Sequence, residues 1–461
     1  MAIGSTGGSV SRHGMWSSRW LFVLAAAGSA VGLGNIWKFP YIAGENGGGA
    51  FVLVYLGCVL LVGVPIMMAE VLLGRAGRES PINTMRKLTE TAGRSGGWVM
   101  IGWLGVLAGF FILSYYAVIA GWALNYVMLT ALGTFQGVTA TGAQTTFSAF
   151  LDSPLQILFW HTLFMVLTIY IVGHGVIKGL ETAIRIFMPL LFLLLLVLLG
   201  YSVTSGGFAQ GFDFMFRFNW ESLTPQAVLI AMGQAFFTLS LGMGAIMAYG
   251  AYLPEDASIG GTVVTIAGLD TMVALASGLA IFPIVFANGL EPGQGPGLMF
   301  VTVPLAFGQL PLGALFGCLF FLLVSFAAIT SAISLTEPAL AYLVEEYNAK
   351  RQRVAISLGV FCWVLGIGTV LSFNVWSELH VVGEMTVFVF VDYVSQNIML
   401  PIGGVLIGVF GALMLPSSII GKQLKSDSKL VHLLWKIVAG VIAPLGVLAI
   451  LLQSLLELFG F

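Results

Sequence analysis

Three features of the sequence predict an all-α membrane protein with many spans. Of the 461 residues, 58% are hydrophobic and only 8% are charged, and the mean hydropathy is +1.00. Soluble domains carry about 25% charged residues. The apolar residues fall into eleven segments, and a helix of about 20 such residues crosses a bilayer. The first and sixth segments also share one glycine-interrupted motif. We therefore expect a bundle of membrane-spanning helices.

The eleven segments divide the chain into two halves of five spans and one further span. We expect 1–18 to be a cytoplasmic tail, 19–203 a first five-helix repeat, 225–415 a second repeat, and 434–459 transmembrane helix 11. The segments themselves lie at 19–40, 51–74, 97–131, 155–173, 180–203, 225–250, 259–288, 311–344, 353–373, 382–415 and 434–459.

The basic residues predict the orientation of the chain. All of the 18 Lys and Arg residues except Lys38 and Arg217 precede span 1 or lie near the loops after spans 2, 4, 8 and 10. Loops rich in Lys and Arg stay in the cytoplasm. We therefore expect a cytoplasmic N-terminus, an external C-terminus and a location in the cell (inner) membrane. The Gly- and Pro-rich loop 288–311 would then be external, and we expect it to fold back over the protein as a lid.

The glycines of span 1 predict a break in its helix. A glycine costs about 1 kcal/mol relative to alanine inside a helix, and 28–34 contains three. A break at membrane depth frees backbone groups that a ligand or water must satisfy. The motif Gly-x-Gly-x-Ile at 32–36 recurs at 242–246 in span 6, and such paired breaks mark the substrate site of inverted-repeat transporters. Close helix contacts of the Gly-x-x-x-Gly kind are the alternative.

Several long motifs resemble the neurotransmitter:sodium symporters, especially their bacterial amino-acid transporters. These are Trp16 with 28–40, then 45–51, 63–70, 74–75, 236–244 and 326–331. The resemblance implies a LeuT-type fold of two inverted five-helix repeats plus an eleventh transmembrane helix, with helices 1 and 6 unwound at mid-membrane. It also implies sodium-coupled symport of an amino acid by alternating access. Gly179 and Pro189 resemble a family pattern for local unwinding of span 5, with a simple proline kink as the alternative.

The resemblance implies two sodium sites, and oxygen atoms are the ligands that a hard cation such as sodium prefers. For the hydroxyls in span 8, bonding to the backbone of their own helix is the alternative. One site would comprise the carbonyls of Gly28, Val31 and Ala327 with the hydroxyls of Thr330 and Ser331. The other would comprise the Ala30 carbonyl, the Asn35 amide oxygen, Thr238 and Asp270, completed by the substrate carboxylate.

Asp270 departs from much of that family, where asparagine is common at this position. A carboxylate within a membrane is expensive and usually functional. We expect Asp270 to supply the fixed negative charge that chloride supplies in other members, so that chloride is not required. A salt bridge to a basic side chain is the alternative.

The family comparison also implies a substrate pocket and two gates. The pocket is apolar with a few hydroxyls, which favours a neutral, hydrophobic or aromatic L-amino acid. Its residues would be Ala30, Leu33, Gly34, Ile112, Tyr116, Phe237, Thr238, Ser240, Met243, Ile246, Ser331 and Leu335. The external gate would be the ion pair Lys38–Asp392, and the cytoplasmic latch would comprise Arg12, Trp16, Tyr252 and Glu345.

Other functions remain as alternatives. A transporter of an amine or osmolyte, a non-transporting sensor and a leak channel would all fit the same scaffold. Because the sequence has neither a phosphate-binding loop nor a nucleophile–base constellation, we do not expect this protein to be an enzyme. We expect two sodium ions, no organic cofactor, no nucleic-acid partner, contact with membrane lipid, and a monomer or loose homodimer.

Overall fold

Long apolar helices dominate the structure. The computed structural model describes residues 16–221, 223–291, 297–425 and 429–458. Over these ranges, nine helices are long and apolar enough to cross a membrane. A tenth span results if Arg19–Ala30 and Gly34–Glu45, which meet at a 70° bend, are counted together. The sixth predicted span, 225–250, is the remaining one, and it is divided into two shorter helices.

The described residues of the first half of the chain form ten α-helices. They are α1 (Arg19–Ala30), α2 (Phe39–Glu45), α3 (Gly49–Cys58), α4 (Val64–Gly77), α5 (Pro81–Thr91), α6 (Met100–Ala131), α7 (Ala140–Leu151), α8 (Pro154–Gly173), α9 (Thr182–Val203) and α10 (Phe208–Phe216). Short π-helical segments at Gly34–Lys38, Val59–Gly63 and Val176–Glu181 and a 3-10 turn at Gly96–Val99 join some of them.

In the second half, the part that the structure describes forms eleven α-helices and a small hairpin. They are α11 (Pro225–Thr238), α12 (Ala245–Ala251), α13 (Ile259–Ala287), α14 (Val303–Gly308), α15 (Gly313–Tyr347), α16 (Arg351–Ser372), β1 (His380–Val382), β2 (Met385–Thr386), α17 (Val387–Tyr393), α18 (Leu400–Val409), α19 (Ser417–Leu424), α20 (Lys429–Ile437) and α21 (Ala443–Leu458). The π-helical segments here are Leu298–Thr302, Val394–Met399, Phe410–Met414 and Val438–Ile442.

The predicted start of the tenth span was wrong. The prediction began at residue 382, but the helix begins at Val387 and the residues before it form an antiparallel hairpin. In that hairpin His380 pairs with Thr386, and Gly383 turns the chain at φ 54°. A short apolar run fits a strand as well as a helix, so hydropathy extended the span too far.

Span 6 is broken between α11 and α12. The six residues 239–244 are not helical, and Ser240, Gly242 and Gly244 have φ values of 55°, 81° and 73°. Glycine adopts this left-handed conformation without the steric cost that a Cβ imposes. The second glycine-rich motif therefore lies where the helix stops, as its composition predicts.

Four elements surround the two breaks. Helix α15 packs along α6 and against α1, and α12 contacts both α1 and α15. Small residues allow the close approach: a Cβ on Gly105 of α6 would lie 3.0 Å from the backbone nitrogen of Gly244. A Cβ on Gly109 would lie 3.4 Å from the carbonyl oxygen of Met243. Helix α6 thus packs directly against the interrupted backbone of span 6.

The segment between α13 and α15 packs onto the bundle from Leu298 onward. Phe300 is fully buried, with its ring centroid 5.5 Å from Trp122 and 5.0 Å from Tyr126 of α6. Residues 292–296 of the same segment lie outside the described ranges. The expected return of this segment to the protein agrees with these contacts, while its role as a lid stays a prediction.

Candidate functional site

A cavity of about 230 Å³ lies between the broken span 1, α6, α11, α15 and α17. It brings together every predicted substrate-binding residue except Ile246, which is fully buried in α12 and does not line the cavity. The predicted residues that line it are Ala30, Leu33, Gly34, Ile112, Tyr116, Phe237, Thr238, Ser240, Met243, Ser331 and Leu335.

The break in span 1 forms one wall of the cavity. The last regular bond of α1 runs from the Val31 N–H to the Ala27 carbonyl at 2.7 Å, and Val31 itself is extended at ψ 107°. A Cβ on Gly32 would lie 2.9 Å from Ser331 Oγ. A Cβ on Gly34 would lie 3.0 Å from the Phe237 ring. These two glycines therefore allow both neighbours to approach the exposed backbone.

The Tyr116 hydroxyl is the polar group that faces this wall. It is buried near Ser331 and the backbone of Leu33, but it has no hydrogen bond of good geometry to any described residue. A buried hydroxyl without a partner is costly. A carboxylate placed between Tyr116 and the start of the Gly34–Lys38 segment would accept a hydrogen bond from it, as well as from free backbone N–H groups.

Asn35, Thr238 and Asp270 form a buried cluster beside the cavity. Asn35 Nδ2 donates to Asp270 Oδ1 at 2.7 Å and to Thr238 Oγ1 at 2.9 Å. Thr238 Oγ1 donates to Asp270 Oδ2 at 3.0 Å. These are three of the predicted ligands of the first sodium site, and Ala30 lines the adjacent cavity.

The amide of Asn35 has the opposite orientation to the one the sodium prediction requires. Its oxygen accepts the Gly32 N–H at 3.1 Å, and its nitrogen faces the carboxylate of Asp270. A half-turn of the amide about its Cβ–Cγ bond would exchange the two atoms. Sodium binding at this cluster therefore requires that rotation, because a cation is coordinated by the oxygen.

The predicted second site brings α1 and α15 together. Ser331 Oγ lies 3.4 Å from the Gly28 carbonyl and 3.2 Å from the Val31 carbonyl, so it bonds across to the end of α1. Thr330 Oγ1 instead donates within its own helix, to the Ala327 carbonyl at 3.0 Å. All five predicted oxygen donors thus lie around one junction, although Thr330 makes the intrahelical bond that the alternative interpretation foresaw.

The predicted external ion pair is not formed. Lys38 and Asp392 both line the cavity, but they make no salt bridge, and Lys38 Nζ lies 5.1 Å from the centroid of the Phe237 ring. The Asp392 carboxylate accepts instead from Gln396, one turn further along. Gln396 also donates to the Tyr115 hydroxyl at 3.0 Å. The carboxylate therefore has a local partner that competes with the lysine.

The predicted latch at the opposite end is partly assembled. Trp16 is 2% exposed, and its backbone N–H donates to the Tyr252 carbonyl at 3.2 Å. The Tyr252 hydroxyl donates to Glu337 at 2.9 Å, while Glu345 accepts from the backbone N–H of Ser80 at 2.9 Å. Arg12, the remaining predicted member, lies outside the described residues.

Three charged residues to which we assigned no role from the sequence stabilise the broken span 6 and the end of the bundle near Tyr252. Glu70 of α4 accepts the Gly242 N–H at 3.2 Å and so holds the broken span 6. Glu337, which is fully buried, forms an ion pair with Arg351. Arg351 Nε also donates to the carbonyl of Val172 at 2.8 Å. A charged residue within an apolar span usually has a functional role. Glu70 and Glu337 both lie within such spans, so the sequence alone could have identified them.

Two arginines at the end of α4 bind the chain that follows α12. Arg75 donates to the Ala257 carbonyl at 2.6 Å, and Arg78 donates to the Leu253 carbonyl at 2.5 Å. Burial lowers the pKa of Arg78, and Glu255 at 3.7 Å opposes that shift by stabilising the charged form. These contacts fasten one end of broken span 6 to α4.

Comparison with known proteins gives a consistent result. Residues 13–138 and 147–459 match the family model described as the sodium:neurotransmitter symporter family. The chain is 38% identical over 441 residues to an uncharacterized sodium-dependent transporter of Bacillus subtilis, YhdH, covering 95% of this chain and 97% of the relative. It is 26% identical over 435 residues to the human sodium- and chloride-dependent GABA transporter 2, covering 84% of this chain and 70% of the relative.

A solved structure is also similar over nearly the whole chain. This is the crystal structure of MhsT in complex with L-phenylalanine, with a TM-score of 0.87 and 43% sequence identity. The similarity covers 96% of this chain and 99% of that chain. The predicted all-α, LeuT-type fold is therefore confirmed.

Proposed function

Because the chain belongs to the sodium:neurotransmitter symporter family, we propose that it imports a neutral, hydrophobic or aromatic L-amino acid together with sodium. Membership establishes a sodium-dependent transporter rather than an enzyme. Membership does not by itself identify the substrate, so the substrate class is our proposal. It is supported by the chemistry of the cavity and by the phenylalanine complex of the similar MhsT structure.

The observation that carries the proposal is the position of the Asn35–Thr238–Asp270 cluster next to the cavity. Thr238 and Asn35 belong both to the cluster and to the cavity lining. A substrate carboxylate bound near Tyr116 and Gly34 would therefore lie within reach of a cation held by the cluster. Each ligand then strengthens the site of the other, and such coupling is reciprocal.

The serine hydroxyls around the cavity already donate to the protein, which favours an apolar substrate side chain. Ser240 Oγ donates to the Ser29 carbonyl at 2.9 Å, and Ser29 Oγ donates to Ser334 Oγ at 2.8 Å. Ser334 Oγ in turn donates to the Ser331 carbonyl at 2.7 Å. A substrate side chain that needs a hydrogen-bond donor from these serines would have to break these bonds, because each hydroxyl has only one proton to donate. A hydrophobic side chain leaves them intact and gains from burial.

We further propose that transport does not require chloride. Asp270 is fully buried, and its described hydrogen-bond partners are the neutral groups of Asn35 and Thr238. The alternative, a salt bridge to a basic side chain, finds no support among the described residues. An ionised Asp270 would supply beside the sodium the negative charge that an anion would otherwise supply.

Alternating access by two inverted repeats, 19–203 and 225–415, completes the proposal. Each repeat would contribute one broken helix to the cavity, and two sodium ions would bind at the two clusters described above. The distribution of basic residues supports a cytoplasmic N-terminus and an external C-terminus in the cell membrane.

Sodium-dependent binding to the purified protein tests the substrate class. Binding of L-phenylalanine, L-leucine, L-lysine, L-glutamate, betaine and γ-aminobutyrate is measured in sodium and in potassium. We expect the two hydrophobic amino acids to bind in sodium only. Tighter binding of betaine or γ-aminobutyrate would replace this proposal with the amine or osmolyte alternative, and binding that is equal in both salts would contradict sodium coupling.

A further inference from the structure

A second cavity, of about 460 Å³, lies on the outer surface of the bundle between α8 and α16. Its walls are apolar, and four of the side chains that form its rim are largely exposed: Val166 59%, Tyr170 66%, Ile356 58% and Val360 56%. Only 33% of the apolar window of α8 and 39% of that of α16 are buried inside the protein. We call this cavity the α8–α16 groove; it opens toward the lipid, not toward the transport path.

The length of the groove matches one leaflet of a bilayer. Along α8 it extends from Thr162 to His174, which corresponds to about 18 Å at 1.5 Å per residue. Half of the hydrocarbon core of a bilayer is about 15 Å thick. At one end the groove is closed by a hydrogen bond of 2.9 Å from Trp363 Nε1 to Thr162 Oγ1. The groove therefore ends near the depth at which an acyl chain of one leaflet ends.

The other end of the groove is basic. Arg353 shares one face of α16 with Ile356 and Val360, because residues three and seven positions apart lie on the same side of a helix. Lys350 comes just before α16, and His174 lies at the end of α8. The Nδ1–H of His174 donates to the Tyr170 carbonyl at 2.6 Å, which leaves Nε2 for a ligand. All three residues are exposed.

These basic groups lack acidic partners within the described part of the chain, whereas the nearby acids are already engaged. Neither Lys350 nor Arg353 forms an ion pair or a side-chain hydrogen bond there. Glu346 pairs with Arg86 at 3.3 Å, and Glu337 pairs with Arg351. The end of the groove therefore carries an uncompensated positive charge.

We propose that the α8–α16 groove binds one anionic phospholipid. One acyl chain lies in the groove, and the phosphate contacts Arg353, Lys350 and His174. Each Lys or Arg near an anionic headgroup contributes about 1 kcal/mol. The apolar walls alone would accept any lipid, so the basic end supplies the selectivity.

Native mass spectrometry of the full-length protein tests the proposal. The protein is equilibrated in detergent with equal amounts of dioleoylphosphatidylglycerol and dioleoylphosphatidylcholine, and the retained lipid is counted. We expect one phosphatidylglycerol per protein. The double variant Lys350→Gln/Arg353→Gln should lower the affinity for phosphatidylglycerol about 30-fold. Val360→Trp, which fills the groove without altering charge, should abolish retention of the lipid.

A matched charge control is the double variant Lys422→Gln/Lys425→Gln, which removes two exposed lysines of the α19 region away from the groove. It should retain phosphatidylglycerol like the unmodified protein. Monodisperse elution and an unchanged unfolding temperature verify that each variant is folded. Equal retention of both lipids by the unmodified protein would overturn the proposal. So would full retention of phosphatidylglycerol by a folded Val360→Trp variant.

Discussion

Ser331 is the side chain that joins the end of α1 to α15, and its hydroxyl lies 3.2 Å from the Val31 carbonyl. Thr330, its neighbour, bonds only within its own helix in this structure. The Ser331 hydroxyl is within 3.4 Å of the carbonyls of Gly28, Ser29 and Val31 at the end of α1. If the second sodium site lies here, this hydroxyl supplies one of its oxygen ligands. Loss of that oxygen should weaken sodium binding more than it weakens the fold.

We expect Ser331→Ala to raise the sodium concentration for half-maximal substrate binding about tenfold, because a hydrogen-bonding or ligand oxygen at a charged group contributes about 1.5–3 kcal/mol. The matched control is Ser325→Ala on the same helix, where the hydroxyl donates only to the Phe321 carbonyl at 2.7 Å. Sodium titrations of L-phenylalanine binding measure both variants. An equal shift in the two variants would contradict a sodium site at Ser331.

The second prediction at the residue scale concerns Asp270 and the dependence of substrate binding on chloride. Asp270→Asn removes the proposed fixed charge but keeps the shape of the side chain and one of its two acceptor oxygens. We expect its sodium-dependent binding of substrate to require chloride, whereas the unmodified protein binds equally in chloride and gluconate. Asp213→Asn, in the exposed helix α10, is the control and should behave as the unmodified protein. Loss of binding by the unmodified protein in gluconate would disprove the chloride hypothesis.

Among the elements, broken span 6 depends most on its glycines. Gly242 has φ 81°, donates its N–H to Glu70 at 3.2 Å, and would place a Cβ 2.6 Å from the carbonyl oxygen of Leu400. A side chain here therefore meets two obstacles, an unfavourable backbone conformation and a fixed backbone neighbour.

We expect Gly242→Ala to lower the free energy of unfolding by about 2 kcal/mol or more, of which the left-handed backbone alone accounts for about 1–2 kcal/mol. Substrate binding should fall in parallel, because α18 and the break must separate. Gly233→Ala in α11 is the control, since its Cβ would meet only Ile450 at 3.9 Å. Thermal unfolding compares the two variants. Equal stability would show that the break does not require glycine.

The elements also show how far the sequence could predict the structure. Hydropathy located the long spans, and the repeated glycine motif located both interruptions, because glycine is costly in a helix and cheap where the helix stops. Hydropathy could not separate the hairpin at His380–Thr386 from the helix that follows, since the valines and the methionine of the hairpin adjoin the apolar residues of the helix. Nor could it show that Ile246 is buried outside the cavity lining, which depends on where α12 restarts after the break.

The polar contacts were less predictable than the helices. From the sequence we expected Lys38 and Asp392 to lie close together, and both line the same cavity. The sequence did not show that Asp392 would accept a hydrogen bond from Gln396 in place of an ion pair with Lys38. In the same way it named Tyr252 for the latch but did not identify Glu337, to which the tyrosine hydroxyl donates. Such choices depend on distances of a few ångströms between side chains of different helices. The ligand assignments at both sodium clusters stay predictions.

At the scale of the whole molecule, the two ends of the transport path differ. At the end near α12, Trp16 is buried against Tyr249 and Tyr252, with ring centroids at 5.5 and 6.4 Å. At the end near α17, Lys38 and Asp392 make no ion pair. Aromatic packing thus covers the first end, and the described residues Lys38 and Asp392 form no salt bridge at the second.

We expect Trp16→Ala to open the closed end, because the removal of a buried aromatic side chain costs about 3–5 kcal/mol. Amide hydrogen exchange in sodium should become faster in Arg19–Ala30. Trp20→Ala is the matched control, since Trp20 of α1 is 65% exposed and its removal should leave the exchange unchanged. Unaltered exchange in Trp16→Ala would show that this packing does not hold the end closed.

Uptake into proteoliposomes tests the central claim most directly. The protein is reconstituted, and accumulation of labelled L-phenylalanine is followed with an inward gradient of sodium or of potassium. Sodium-coupled symport predicts accumulation above the external concentration with sodium only, and loss of the accumulated label when the gradient is dissipated by a sodium ionophore. Equilibration to the external concentration under both gradients would indicate a channel. Sodium-dependent binding without any accumulation would indicate a sensor, and either result would contradict the account.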